Sequence, residues 1–253
     1  TAGPAAPPRR EHAARLRAWV SRVRVDILIT AGVACIALVP RVYNLSSYPW
    51  AMSGDEGTFA VTALSALRGE LSNPFTSGPW GYPSLLFIFQ GWLMDLTGET
   101  IGGARMLSAV LGTASVVAIY WLTRHHFGRW TGLVAAVIAA SFNFHLFWSR
   151  DAQNAIAPML FIPLALLFLD RGLVGRSQID SLAAGLVIGL AQFFHPSNRI
   201  LFPMAAAYAV YALLYQRPEH RAELARAVRS LLPNVLWVAA GAIVGHLPLL
   251  AYF

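Results

Sequence analysis

The sequence predicts an all-α, polytopic membrane protein. Hydrophobic residues make up 57% of the 253 residues and charged residues only 12%, which is too apolar for the surface of a soluble domain of this size. Long apolar runs recur between short charged patches, as they do in chains that cross a bilayer several times. All 19 basic residues are arginines. Their distribution between the apolar runs indicates membrane orientation and not nucleic-acid binding.

Seven apolar runs are long enough, with flanking residues, to be transmembrane helices, which need about 17–25 residues to cross a hydrocarbon core of about 30 Å. They cover residues 25–42, 101–123, 130–148, 152–169, 181–194, 200–215 and 231–253. An eighth run, 83–96, is shorter, contains Gln90 and is flanked by Pro and Gly. These features favour an interfacial helix over a spanning one.

The arginines orient the seven predicted spans. With a cytoplasmic N-terminus, the cytoplasmic segments contain 14 arginines and the extracytoplasmic segments contain five. The positive-inside rule therefore predicts seven spans with the N-terminus inside and the C-terminus outside. Counting 83–96 as a span would move the basic segment RHHFGR outside.

The predicted topology divides the chain into a basic cytoplasmic segment, 1–24, and a transmembrane module, 25–253. The first span reads as a signal-anchor because no small-residue cleavage site ends it. The first extracytoplasmic loop covers residues 44–83 and is the only long one. The chain stops inside an apolar run, so we expect a C-terminal part of the protein to be missing.

Polar residues gather at the predicted extracytoplasmic ends of the spans. They are Asp55 and Glu56, Arg105, Arg150 with Asp151, and His195 with Asn198 and Arg199. Ionisable groups at membrane depth are costly and often mark a functional site, although a single arginine at a helix end can also snorkel to lipid headgroups. Four such clusters on one face predict a site there.

This set of side chains suits transfer from a lipid-linked phosphate donor. Arginines near the membrane surface bind phosphate, and a carboxylate can remove a proton from an acceptor hydroxyl. Alternatively, Asp55 could hold a divalent metal, Mg, Mn or Zn, against the leaving phosphate. Trp80 and Tyr82 in the outer loop could stack on a sugar, while an interfacial aromatic belt explains them equally.

Three segments carry a characteristic order of motifs. They are YNLSSYPWAMSGDEGTFAVTALSALRGE, then GYPSLLFIFQGWLMDLTGETIGGARMLSAVLGTASVVAIYWLTRHHFGR, then FHLFWSRDAQNAIAPMLFIPLALLFLDRG. In this order they resemble the GT-C glycosyltransferases over residues 41–215. The resemblance is closest to the branch of protein O-mannosyltransferases and aminoarabinose transferases, which has many bacterial members.

The resemblance assigns roles to individual residues. It implies that Asp55 is the catalytic or metal-associated carboxylate and that Glu56 is its neighbour in the site. The family's ARLPS motif corresponds to ARMLS, which contains Arg105, and its SR turn corresponds to residues 149–150. Two family features differ: the His-Pro-Pro start of a short helix corresponds to Gly81-Tyr82-Pro83, and FHPSNR replaces a lysine-containing turn.

The resemblance also implies a function. It predicts an inverting glycosyltransferase of the bacterial cell envelope, located in the inner or plasma membrane with its active site outside. The donor would be a polyprenyl-phosphate sugar whose phosphate binds Arg105, Arg150 and Arg199. The acceptor would be a protein, a lipid or a glycan. Interfacial helices in the first loop are part of the implied GT-C architecture.

Two other functions remain open at this stage. A non-catalytic protein could use the same groove to bind or transport a lipid-linked glycan. A metal-dependent membrane hydrolase could use His145, Asp151 and His195 as ligands. These histidines lack the close spacing of a metal-binding motif, so we expect them to be interfacial or hydrogen-bonded.

Overall fold

The computed structural model describes residues 9–71, 81–216 and 221–250. Within these ranges the regular elements are all helices, which confirms the all-α class. They are α1 (Arg9–Val42), α2 (Gly54–Leu67), α3 (Ser84–Thr97), α4 (Ile101–Phe127), α5 (Arg129–Ser141), α6 (Asn143–Trp148), α7 (Ala157–Leu169), α8 (Gln178–Ala191), α9 (Leu201–Tyr215) and α10 (Arg221–Leu250). A π-helical turn, Asp170–Val174, continues α7, and a 3-10 turn, Pro196–Ile200, precedes α9.

Four helices in the described part of the chain are long and apolar enough to cross a membrane. The qualifying segments are Arg24–Val42, Ile101–Phe127, Ala157–Val174 and Glu223–Leu247. They correspond to four of the seven predicted spans and lie in α1, α4, α7 with its π-helical turn, and α10. Their length and composition are those of a polytopic membrane protein.

The other three predicted spans are shorter helices. The run 130–148 is divided at Phe142, where ψ of 118° ends α5 before α6 begins. Helices α8 and α9 contain 14 and 15 residues, or roughly 21–23 Å at 1.5 Å per residue. The seven-span count and the orientation therefore stay predictions.

Contacts between the helices define two polar ends of the bundle. At one end Asp26 of α1 pairs with Arg124 of α4 at 2.7 Å; we call this the Asp26 end. At the other, which we call the Glu56 end, Arg105 of α4 pairs with Glu56 of α2. Arg41, near the end of α1, lies beside Gly112 in the first half of α4, so α1 and α4 are antiparallel. The polar residues that the sequence grouped together lie at the Glu56 end.

Helices α8 and α10 run parallel and cross at unusually short distance. Each contributes two glycines four residues apart, Gly185 with Gly189 and Gly241 with Gly245. A Cβ added at Gly185 would lie 2.8 Å from the Cα of Gly241, and one at Gly189 would lie 2.8 Å from the Cα of Gly245. Small residues at such crossings allow the backbones of membrane helices to pack directly.

The main apolar core fixes α2 and α3 against the rest of the bundle. Phe59 of α2 is 2% exposed and contacts Phe87 of α3 edge-to-face, with ring centroids 5.2 Å apart. Other buried members of this core include Leu86, Leu107, Leu111, Ile156, Leu160 and Phe161. Because α2 is anchored in this way, the residues of its first turn have a defined position at the Glu56 end.

Candidate active site

The first turn of α2 separates the two adjacent carboxylates. Ser53 caps the helix, because its Oγ accepts a hydrogen bond from the backbone N–H of Glu56 at 3.1 Å. Neighbouring residues on a helix point about 100° apart, so Asp55 and Glu56 cannot face the same surroundings. Asp55 is exposed, whereas Glu56 is 2% exposed. Both carboxylates lie at the positive end of the helix dipole.

Glu56 forms a buried, two-point ion pair with Arg105. The Nε of Arg105 donates to Oε1 of Glu56 at 2.5 Å, and its Nη2 donates to Oε2 at 3.0 Å. The backbone N–H of Ala152 donates to the same Oε1 at 3.0 Å. Glu56 therefore connects α2, α4 and the turn before α7 through charge-assisted hydrogen bonds.

The remaining N–H groups of Arg105 bind the first loop. They donate to the carbonyl oxygens of Leu45, Pro49 and Ala51 at 3.1, 2.9 and 3.4 Å. All five N–H groups of this guanidinium thus have acceptors within the protein, and the residue is 0% exposed. In this geometry Arg105 has no N–H left for a phosphate. Its contacts indicate a structural role and lend no support to the predicted one.

The guanidinium of Arg150 is also bound by backbone carbonyls. It is 8% exposed, and its two terminal nitrogens donate to backbone carbonyls at the end of α1 and in the following loop. The acceptors are Pro40, Arg41, Tyr43, Asn44 and Tyr48. Burial lowers the pKa of Arg150. These contacts fix the end of α1 to the turn before α7 and leave Arg150 largely unavailable for a ligand.

Three of the predicted site residues keep free polar atoms. Among the described residues, Asp55 and Arg199 make no side-chain hydrogen bond or ion pair, and both are exposed. Asp151 is 5% exposed, and its Oδ1 accepts a hydrogen bond from the backbone N–H of Gln153 at 2.8 Å. Burial raises the pKa of Asp151 to about 6. The Glu56 end therefore offers both a free carboxylate and a free guanidinium.

Tyr82 connects α2 to the turn before α9. Its ring contacts Phe59 edge-to-face at 5.0 Å and His195 at 5.7 Å between centroids. Burial, and then the charge of Asp55, raise the pKa of Tyr82. Trp80, predicted beside it, lies outside the described residues.

The turn that contains His195 has a defined hydrogen-bond pattern. Nδ1 of His195 accepts from the backbone N–H of Ser197 at 3.2 Å, so the proton of the neutral ring is on Nε2. Burial lowers the pKa of His195. Asn198, 0% exposed, donates to the carbonyl of Ala191 at 2.8 Å. These contacts position Arg199 at the surface.

Residues 82–245 match the family model described as Dolichyl-phosphate-mannose-protein mannosyltransferase. The chain belongs to this family. Membership confirms the resemblance predicted from the motifs and makes the chain a multi-pass membrane glycosyltransferase of the GT-C type. Searches of curated proteins and of solved structures found no significant match.

The mannosyltransferase match begins at Tyr82 and includes Arg105, Arg150, His195 and Arg199. Asp55 and Glu56 precede it. Their assignment to the site therefore depends on the contacts that join α2 to the matched region. The bond from Glu56 to Arg105 and the ring contact of Phe59 with Tyr82 at 5.0 Å are those contacts.

One polar network of the mannosyltransferase module was not identified from the sequence. Gln90 donates to the carbonyls of Ala104 and Ala152 at 2.8 and 3.0 Å, and Asn154 donates to Oε1 of Gln90 at 3.3 Å. Ser108 donates to Oδ1 of Asn154 at 2.9 Å. The network fixes the turn that carries Arg150 and Asp151. Its sequence signal is the presence of amides inside apolar runs.

The ligand set of the hydrolase alternative is not brought together. Both ring nitrogens of His145 are engaged, Nδ1 with Nη2 of Arg41 at 2.8 Å and Nε2 with Oγ of Ser115 at 2.8 Å. Arg41 also donates to Ser149 Oγ at 3.2 Å, and it is 0% exposed with no carboxylate partner among the described residues. His145 therefore belongs to a buried network inside the bundle, whereas Asp151 and His195 lie in the turns.

Proposed function

We propose that this chain transfers a sugar, with inversion, from a polyprenyl-phosphate donor to an acceptor hydroxyl at the Glu56 end. The observation that supports this proposal is that one of the two adjacent carboxylates is held in an ion pair and the other is free. Glu56 is bound by Arg105, while Asp55 is exposed and unpaired among the described residues. Asp55 is therefore free to accept a proton.

In the proposed reaction a carboxylate oxygen of Asp55 accepts the proton of the acceptor hydroxyl. The hydroxyl oxygen then forms a bond to the anomeric carbon of the sugar while the bond from that carbon to the phosphate oxygen breaks. The bonding electrons leave with the polyprenyl phosphate. Because the attack comes from the face opposite the leaving group, the anomeric configuration inverts. Asp55 acts as a general base in this step.

Arg199 is the residue that we propose for the donor phosphate. The family description names a dolichyl-phosphate sugar, which supports a donor whose lipid lies in the bilayer and whose phosphate lies at its surface. Arg199 is exposed on the turn next to His195 and has no internal partner among the described residues. A guanidinium binds phosphate by charge-assisted hydrogen bonds and stabilises the charge that develops as the phosphate leaves.

Among the described residues, the carboxylates at this end do not form a three-ligand metal site. Glu56 is bound to Arg105 and Ala152, which leaves Asp55 and Asp151 as candidate ligands. No group of three converging ligand atoms occurs at the Glu56 end within the described residues. The proposed step therefore uses the side chain of Asp55 and no divalent metal.

The proposed topology places this reaction on the extracytoplasmic face of the plasma or inner membrane. This topology is based on the distribution of the arginines, most of which lie on the Asp26 side of the spans. The acceptor would then be a protein, lipid or glycan hydroxyl that reaches the outer surface, beside Tyr82 and His195.

Substitution of Asp55 tests the base. Asp55→Asn preserves size but removes the basic group, so we expect sugar transfer by the full-length enzyme to fall by about 10²–10⁴-fold. Binding of the polyprenyl-phosphate sugar should persist because Arg199 is unchanged. The matched control is Glu70→Gln, an exposed acid in the same loop. Near-normal transfer by Asp55→Asn would refute the mechanism, and absence of transfer by the wild type would favour the binding-only alternative.

A further inference from the structure

A cluster of two histidines and one aspartate lies at the Asp26 end, remote from the candidate active site. His125 and His126 belong to the last turn of α4, and Asp170 begins the π-helical turn after α7. One ligand atom from each of the three side chains lies within 4.8 Å of the others. Within the described ranges, this is the one group of three such side chains that could hold a metal ion.

We propose that His125, His126 and Asp170 bind a divalent transition-metal ion such as Zn²⁺. Two imidazole nitrogens and one carboxylate oxygen are a ligand set that Zn²⁺ commonly accepts, with water in the fourth position. Both histidines are exposed, so an ion can reach them from solvent. The ion would join α4 to the segment that follows α7.

Two local features of the cluster favour a bound cation: its carboxylate and the helix end beside it. Three of the arginines described at this end are paired with other acids, Arg124 and Arg129 with Asp26, and Arg171 with Asp180. The carboxylate of the cluster has no arginine partner among the described residues. The histidines also lie at the C-terminal end of a helix, where the backbone dipole attracts positive charge.

The hydrogen bonds of Asp170 hold its carboxylate in an orientation suitable for a metal ligand. Tyr208 donates to Oδ1 of Asp170 at 2.7 Å, and the Nε2 of His125 lies 2.7 Å from Oδ2. Tyr208 therefore orients the carboxylate as an outer-shell residue does in metal sites. His126 makes only ring contacts, to His125 and Phe127, so its nitrogens are available. A π-helical turn within a helical segment is itself often associated with a functional site.

Titration of the purified, tag-free protein with ZnCl₂ tests the proposal. We expect saturable binding of one Zn²⁺ per chain by calorimetry, and a visible absorption spectrum of low-coordinate Co²⁺ when CoCl₂ is used. His126→Ala should weaken binding at least tenfold without changing the melting temperature, because the side chain is exposed. Tyr208→Phe should weaken binding by about 10–100-fold through the loss of carboxylate orientation.

His246→Gln is the matched control, because His246 belongs to α10 and is not part of the cluster. It should bind Zn²⁺ with the affinity of the wild type. Failure of the wild type to bind one equivalent would overturn the proposal, as would unchanged affinity in His126→Ala. A loss of affinity in His246→Gln equal to that in His126→Ala would place the ion elsewhere. None of these measurements depends on sugar transfer.

Discussion

Asp55 and Glu56 are adjacent in the sequence but have opposite environments. The sequence identifies the pair, because two carboxylates beside an apolar run need water or a partner. It does not reveal which one is buried, since that depends on the residue at which α2 begins and on Arg105, 49 positions away. The cap at Ser53 fixes the start of the helix and turns Glu56 towards Arg105. Contacts between residues so far apart have no local sequence signal.

At the level of single residues, Arg105 is predicted to matter for stability. Arg105→Ala leaves the carboxylate of Glu56 buried without its partner, which typically costs about 3–5 kcal/mol. We expect a markedly lower melting temperature in detergent or loss of folded protein. Arg199→Ala, at an exposed site, should melt like the wild type. If Arg105→Ala melted normally and bound the donor more weakly, the original assignment to the phosphate would be correct.

The carboxyl group of Asp151 predicts a pH dependence of stability. Its pKa is raised from 3.8 to about 6 by burial, so the folded state holds its proton more tightly than the unfolded state. The free energy of unfolding therefore decreases as pH rises from about 4 to 6 and stays lower above that. At about 1.4 kcal/mol per pKa unit, the upper limit is about 3 kcal/mol.

Asp151→Asn removes this effect while keeping an oxygen for the N–H of Gln153. Its melting temperature should exceed that of the wild type at pH 7.5, and the difference should shrink towards pH 4. A difference between the two proteins that does not vary with pH would contradict the assignment.

At the level of elements, the apolar runs predict where helices occur better than they predict how far each extends. The runs 101–123 and 152–169 correspond to α4 and to α7 with its π-helical turn. The run 130–148 reads as one helix, although the backbone leaves the helical region at Phe142. The buried network of Arg41, His145 and Ser115 fixes α6 separately. Hydropathy measures only the apolar character of such a run and does not reveal that His145 within it bonds to residues of α1 and α4.

The crossing of α8 and α10 gives a prediction about helix packing. Gly189→Ala adds a methyl group where a Cβ would lie 2.5 Å from the carbonyl oxygen of Ala242, so the helices must separate. Overpacking of this kind costs about 1–3 kcal/mol, and we expect a lower melting temperature. Gly32→Ala is the control, since a Cβ at Gly32 would meet nothing within 4 Å. Equal melting temperatures for the two variants would exclude close packing at this crossing.

At the level of the whole molecule, the two polar ends predict opposite sides of a membrane. Phe127 at the Asp26 end and Tyr43 at the Glu56 end are 72% and 76% exposed. After replacement of Cys35 by Ala, we expect Phe127→Cys to react with an impermeant maleimide only from the cytoplasmic side. Tyr43→Cys should react only from the outside. Labelling of both from one side would show that the two polar ends do not lie on opposite sides of the membrane, and the reverse pattern would invert the orientation.

The burial of Arg41 has a consequence for the biosynthesis of the protein. Its hydrogen-bond partner His145 is 104 residues further along the chain, so at about 5–20 residues per second the ribosome needs roughly 5–20 s to supply it. During that interval the guanidinium would have only the carbonyl oxygen of Ala37, in its own helix, as an acceptor, and burying it in lipid in that state is costly. We therefore expect the end of α1 to remain at the membrane surface, in contact with water, until α6 has been synthesised. Its final insertion is coupled to the arrival of α6, so α1 reaches its native position only after a helix that is made about 100 residues later.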